Sequence, residues 1–300
     1  LLKRLEMLST LALGADIGGS HITTALVDTT VNRVLPHTYY RTGINAKGSA
    51  TEIVQAWCAA IEQSWAMAGI TQSPVGICMP GPFDYDKGIC LIQAQDKYQS
   101  LFGINVKQRM AAQLGLPDTG VRFINDASGF LKGELLAGSI KGSNNVAGVT
   151  LGTGLGSAYS KAGAIADAEL WKMPFKSGIA EDYLSTRWFT SEFESRYGQA
   201  ISGVKELTGP AIRQEDAAPI FDTFAENLAL FIQALYAALR CDTVVLGGNI
   251  TLAAAYFWHN TCKRLESNNC PVKIAQAALG EIAPIIGAAT LFVAERLGQD

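Results

Sequence analysis

Asp126 has the clearest chemical prospects of any residue in this chain. It follows the apolar run Val121-Arg-Phe-Ile-Asn125 and directly precedes a segment, 127–137, with helical periodicity. A carboxylate at the carboxyl end of a strand, where a helix begins, stands where open α/β sheets bind ligands. Such an oxygen can take the proton of an attacking hydroxyl; an Asp at that point can also simply cap the helix. A second acid, Asp16, lies in Gly14-Ala-Asp16-Ile-Gly18-Gly19-Ser20-His-Ile-Thr-Thr-Ala-Leu-Val-Asp28, which reads as strand, tight turn, strand. The two glycines allow a bend without a Cβ clash, so backbone N–H groups can lie against an anion. Asp16, at the lip, is suited to hold a magnesium ion through water. From turn chemistry alone, a Gly-Gly pair between strands is as readily an ordinary hairpin turn.

The same device recurs. Thr150-Leu-Gly152-Thr153-Gly154-Leu-Gly156 sits in a second strand, glycine turn, strand pattern, and Thr243-Val-Val-Leu-Gly247-Gly248-Asn249 is a strand running into a third such turn. The first two suggest one hairpin placed in two related halves, as in a duplicated domain. Together the three turns and the strand-terminal Asp suit a nucleotide, two hairpins on its phosphates and the third turn beside base and ribose. There is no GxxxxGK[ST] and no GxGxxG after a strand, so P-loop and dinucleotide folds have no support.

The elements that must position these residues follow from apolar spacing. Helices are predicted over 51–68, 105–114, 127–137, 217–240 and 282–297, and a buried strand over 75–79 closed by Pro80-Gly-Pro82. Phe221, Phe224, Leu228, Phe231 and Leu235 form one stripe of the long helix and read as core. The stretch 163–197 reads as irregular, with Glu169, Trp171, Lys172, Glu181 and Asp182 close together.

Three hundred residues predict two domains or one bilobed unit. A net charge of −3 without a basic stripe disfavours nucleic acid as a partner. The six cysteines are scattered, with no CxxC, which argues against a zinc site or disulfide framework and fits free thiols in the cytoplasm. The opening apolar lead is interrupted by Glu6 and reads as the approach to the first strand, not as a signal peptide. No run is long enough to span a membrane.

Asp16-Ile-Gly-Gly-Ser20, Asn125-Asp126-Ala, Leu151-Gly-Thr-Gly-Leu-Gly156 and Leu246-Gly-Gly-Asn249, in this order and spacing, resemble the ROK (repressor, open reading frame, kinase) family of sugar kinases in the actin-like ATPase superfamily. The resemblance spans nearly the whole chain. It implies an α/β fold of two actin-like (ribonuclease H-like) domains with a cleft between them. Their expected bounds are 1–124 and 125–283, with a C-terminal helix over about 284–300 packing back on the first. It implies a homodimer and ATP- and Mg2+-dependent phosphorylation of a hexose, first of all glucose at O6, with closure on the sugar. The alternatives are another hexose or an N-acetylhexosamine, polyphosphate as donor, or a non-catalytic sugar sensor. Repressors of the family carry an N-terminal winged helix, for which the roughly fifteen residues before Asp16 are too few.

Carried over position by position, the resemblance makes Asp126 the general base. Asn125, Glu169 and Glu181 would meet sugar hydroxyls, Asp16, Gly18, Gly19, Ser20, Gly152, Thr153 and Gly154 the phosphates, and Gly247 and Gly248 the adenosine. There are departures. Lys172 replaces the family histidine before Met-Pro, Trp171 replaces the preceding glycine, and the cysteine cluster expected between 174 and 181 is missing. Losing the histidine with every cysteine removes a structural zinc site as a unit, so no zinc is expected. Lys172 can still meet a sugar hydroxyl, as a donor only. The loop at Asp96-Lys97-Tyr98 departs too, which leaves the sugar open.

Overall fold

The computed structural model describes residues 10–93 and 96–293. The chain divides into two units, one of residues up to Gly138 together with those from Glu281 onward, the other Ser139–Gly280. The first is built on a six-stranded sheet. β1 (Leu11–Ile17) and β2 (His21–Asp28) form an antiparallel hairpin in register from Leu11↔Asp28 to Ile17↔Ile22. β3 (Arg33–Val34) and β4 (Tyr40–Gly43) continue from β2. On the other side β5 (Val75–Met79) runs parallel to β1, and β8 (Val121–Asn125) parallel to β5; a two-stranded ribbon, β6 (Phe83–Asp84) with β7 (Ile89–Cys90), lies between them in sequence.

α1 (Ala50–Met67) starts at a full capping box between Ser49 and Glu52 and buries Ile53, Val54, Trp57, Ile61 and Trp65, the stripe its periodicity predicts. α2 (Val106–Leu114) is capped by Asn105 and stopped by Gly115 in the left-handed region. α3 (Asp126–Ala137) follows β8 without a connecting residue.

In the second unit the hairpin β9 (Asn145–Leu151) and β10 (Leu155–Lys161) is flanked by β11 (Ala164–Asp167) on one side and by the parallel strands β14 (Thr243–Gly247) and β15 (Lys273–Gln276) on the other. The two sheets share one path, β3-β2-β1-β5-β8 and β11-β10-β9-β14-β15. The repeat read from two glycine turns is therefore a repeat of topology.

The stretch 163–197 is not irregular. It holds β11, a small hairpin of β12 (Pro174–Phe175) and β13 (Gly178–Ile179), a turn of helix α4 (Ala180–Tyr183), and α5 (Thr186–Tyr197). α5 escapes a periodicity reading because only Trp188, Phe189 and Phe193 are buried in an otherwise polar segment. After α6 (Val204–Leu207), α7 (Gln214–Leu239) buries its aromatic stripe against Trp188, Phe189 and Phe257, and begins three residues earlier than its spacing predicts. α8 (Ala254–Ser267) was not foreseen either; its buried positions 254, 257, 261 and 265 alternate with His, Asn, Lys, Arg and Glu.

The last complete helix among the described residues, α9 (Ala283–Ala289), belongs to the first unit and packs with no side chain between the backbones. A Cβ on Gly14 would stand 2.0 Å from the Ile285 carbonyl oxygen, one on Gly76 1.9 Å from that of Ala288, and one on Gly133 2.0 Å from that of Ala283. This contact with α3 places the division after Gly138, where the sequence reading had put it at 124/125. α9 ends at Ala289 and a 3-10 turn follows; 294–300, over which the last helix was expected to continue, lie outside the described residues.

Candidate active site

In the first unit the carboxyl ends of β1, β5 and β8 carry Asp16, Met79 and Asn125-Asp126. Asp126 had two readings, base or cap, and the cap is its neighbour. The Asn125 Oδ1 accepts from the Ser128 N–H at 3.1 Å, and its Nδ2 donates to the Tyr85 hydroxyl at 3.3 Å. Asp126 accepts only the Ala127 N–H at 2.8 Å among the described hydrogen bonds, and its side chain reaches solvent. Asn125, buried, thus has its carbonyl committed to the helix, so only its amide N–H remains for a ligand. Asn125→Ala is expected to cost about 1 kcal/mol, read as a lower midpoint in urea; an unchanged midpoint would contradict the capping role.

The glycine turn closes with the Gly18 N–H donating to the His21 carbonyl at 3.0 Å, and the buried Tyr98 hydroxyl donates to the Gly18 carbonyl. Ser20 and His21 run into a polar chain. Arg41 donates to His21 Nε2 at 2.8 Å and to Glu281 at 2.7 Å, so His21 carries its proton on Nδ1, 3.1 Å from the Ser20 hydroxyl. Tyr98, Arg41 and Glu281 were missed by the sequence reading, since each is brought to the turn by tertiary packing.

Burial pushes the Asp16 carboxyl up to about 7; the charges of Asp126 and Glu281 add to this, and Arg41 opposes it. Although Asp126 reaches solvent, the protein packed around its carboxyl withdraws water from it and raises it as well, against the Ala127 N–H and the Lys97 charge, which lower it. A carboxylate raised by burial and by a second carboxylate's charge is a setting that a divalent cation relieves, so Asp16 suits a water-bridged magnesium ion. The native carboxyl of Asp16 holds its proton up to about 7 and an unfolded one only to near 3.8, so between these values the native state binds more protons and loses stability as pH rises. Asp16→Asn should therefore gain melting temperature relative to the parent as pH is raised from 4 to 8. A difference independent of pH would contradict this assignment.

In the second unit the glycine turn is held from three sides. The Gly152 carbonyl accepts from Thr186 N–H at 2.8 Å and from its hydroxyl at 2.9 Å, Gly152 N–H donates to Gly154 O, and the Glu181 carboxylate accepts from the Leu155 N–H at 3.0 Å. Arg187 stands 3.7 Å from Glu181. One Glu181 oxygen is thereby spent on the turn. Thr153 is exposed at the tip. Gly248, at φ 87, lies so close to Leu151 that a Cβ would meet its carbonyl oxygen at 2.3 Å; the third turn is stacked on the second, and Gly247 is buried beneath it. Glu169 takes a left-handed φ of 48 and pairs with Lys172 at 2.7 Å, both side chains more than half exposed.

The family model for ROK proteins matches residues 12–171 and 177–295. The chain belongs to the ROK family. Among curated proteins this ROK chain is 27% identical over 250 residues to an N-acetyl-D-glucosamine kinase of Aliivibrio salmonicida, covering 73% of this chain and 80% of that one. It is 25% identical over 319 residues to the N-acetyl-D-glucosamine kinase of Pectobacterium carotovorum, covering 93% and 97%. In fold it is similar to the ROK hexokinase of Thermus thermophilus, with a TM-score of 0.77 at 19% identity over 96% of this chain and 99% of that one. A Streptomyces griseus ROK glucokinase in complex with glucose and AMPPNP gives a TM-score of 0.76 at 23% identity over 94% and 98%. The break in the family match at 172–176 falls on Lys172 and the β12 strand. Among the described residues no helix is long and apolar enough to cross a membrane.

Proposed function

We propose that the chain transfers the γ-phosphoryl group of ATP to the primary hydroxyl of a hexose, with Asp126 as general base, and that the sugar is an N-acetylhexosamine, N-acetyl-D-glucosamine first. The reaction rests on one observation above the others: Asn125 caps α3, and this leaves the Asp126 carboxyl exposed at the carboxyl end of β8. The sugar rests on the curated relatives, which are N-acetyl-D-glucosamine kinases. The expectation of glucose, which came from the family resemblance alone, becomes the second choice.

In this reading Asp126 accepts the proton of the sugar hydroxyl as its oxygen bonds to phosphorus. Its raised pKa brings it nearer to neutrality, where a base is most useful. Phosphoryl transfer asks little covalent work of the protein beyond positioning and charge. The Gly18 and Gly152 N–H groups close their own turns, so Gly19, Ser20, Thr153 and Gly154 are the ones that offer backbone N–H groups and hydroxyls to phosphate oxygens, and Gly248, exposed over the buried Gly247, gives a side-chain-free surface for the adenosine. Asp16 would hold a magnesium ion through water, and that ion would supply charge neutralisation at the phosphates when bound with ATP. Glu169 accepts sugar hydroxyls and Lys172 donates to them, their mutual ion pair keeping both in place. The other Glu181 oxygen, 3.7 Å from the Arg187 guanidinium, is the one that meets the sugar.

ADP release with Mg-ATP across hexoses and N-acetylhexosamines tests the reading. N-acetyl-D-glucosamine is expected to give the highest kcat/KM, at least about tenfold above glucose, a margin of about 1.4 kcal/mol. A higher value for glucose would overturn the sugar assignment; silence on every sugar would overturn the kinase reading.

A further inference from the structure

Lys97 lies in the loop that departs from the family pattern, and the packing around it has a definite aim. Its neighbour Tyr98 is fully buried at a left-handed φ of 59, donates its N–H to the Ala46 carbonyl at 2.7 Å and sets its ring edge-on to Trp57 at 5.3 Å. The Tyr98 hydroxyl donates to the Gly18 carbonyl, so the loop is fastened to the first glycine turn. Lys97 then extends across that turn, with its Cδ 3.5 Å from the place a Cβ on Gly19 would occupy. Its ammonium is near enough to Asp126 to draw that carboxyl down against the effect of burial. The adjacent acid, Asp96, pairs outward with Lys47 at 2.7 Å. Half-buried Lys97 therefore runs from the turn assigned to phosphate to the carboxylate assigned to the proton.

We propose that Lys97 is a further catalytic residue, whose ammonium contacts the oxygens of the phosphoryl group in transfer. This rests on the kinase reading above. The sugar hydroxyl gives its proton to Asp126, its oxygen forms the bond to the γ-phosphorus, and the bond to the β–γ bridging oxygen breaks with its electron pair leaving on ADP. Lys97 keeps its proton throughout and offsets charge on the transferring oxygens, as preorganised cations do in such sites. It also favours the ionised base before the sugar arrives. Among the described residues, the other charged or titratable groups that bear on this corner are Asp16 of β1 and the buried Cys78 of β5, with Glu281 and Arg41 acting on Asp16 and Lys132 on Cys78.

The test uses the full chain with Mg-ATP and the sugar it turns over. Lys97→Met keeps the aliphatic stem over Gly19 and removes the charge. It should lower kcat by about 10²-fold, with KM for the sugar changed less than about threefold. The acidic limb of kcat/KM should move to higher pH, because Asp126 loses a neighbouring cation. Lys97→Arg should recover most of the loss. A Lys97→Met enzyme within about threefold of the parent in kcat, an unmoved acidic limb, or no recovery in Lys97→Arg would each overturn the proposal while the parent enzyme still turns over. A parent chain silent on every sugar would overturn the kinase reading first, and this proposal with it.

Discussion

Asp126→Asn should lower kcat by about 10²–10⁴-fold, the range for loss of a positioned general base. The substitution is nearly isosteric, and its side-chain oxygen can still accept the Ala127 N–H, the one hydrogen bond Asp126 makes among those described. The cap of α3 belongs to Asn125 and is untouched. Folding should therefore survive. At neutral pH it should improve, because a carboxyl whose native pKa is raised lowers stability once pH exceeds its unfolded value. The Asp16 carboxyl should fall from about 7, because the Asp126 charge adds more to it than that of Glu281. Loss of activity with equal or greater melting temperature at pH 8 separates a catalytic role from a structural one. A fall in both, or neither, would contradict the account.

The second large effect lies far from the chemistry. Gly133→Ala would put a Cβ 2.0 Å from the Ala283 carbonyl oxygen, with the carbonyl and α carbons of the same residue within 2.8 Å. No flexible side chain is there to yield; α9 itself must move. Ala is a better helix former than Gly in the interior of α3, so propensity predicts a gain of up to about 1 kcal/mol. Overpacking against backbone wins, and the net loss is expected to be about 3 kcal/mol or more. Gly43→Ala is the control: its Cβ would meet only the Ser20 carbonyl, at 3.8 Å, and stability should stay within about 1 kcal/mol of the parent. Equal melting temperatures for the two variants would contradict the close approach of α3 and α9.

What the sequence made legible was whatever depends on local pattern. Val75–Met79 reads as a strand because all five residues are buried, and α1 reads as a helix because its apolar face is continuous. The glycine turns were readable because glycines cluster between apolar runs, although of the glycines in these turns only Gly248 takes a left-handed φ. What stayed hidden depends on partners distant in sequence. Asn125 and Asp126 are both good capping residues, and only the backbone at 125 decides which one serves. Glu181 offered no sign that it would hold the Leu155 N–H, 26 residues away. Lys97 stood in plain view as a departure from the family pattern, yet its direction depends on Tyr98 fastening the loop to Gly18. α5 and α8 were obscured because their buried faces are narrow and largely aromatic or small, within polar segments.

The central claim is that this ROK chain moves a phosphoryl group to a hexose through Asp126. Phosphorus NMR of the chain with Mg-ATP and N-acetyl-D-glucosamine tests it most directly. The account predicts a sugar phosphomonoester signal growing in step with ADP, and no such growth on the same timescale with Asp126→Asn. Ester formation at the same rate in both proteins, or ADP released without any ester, would contradict it.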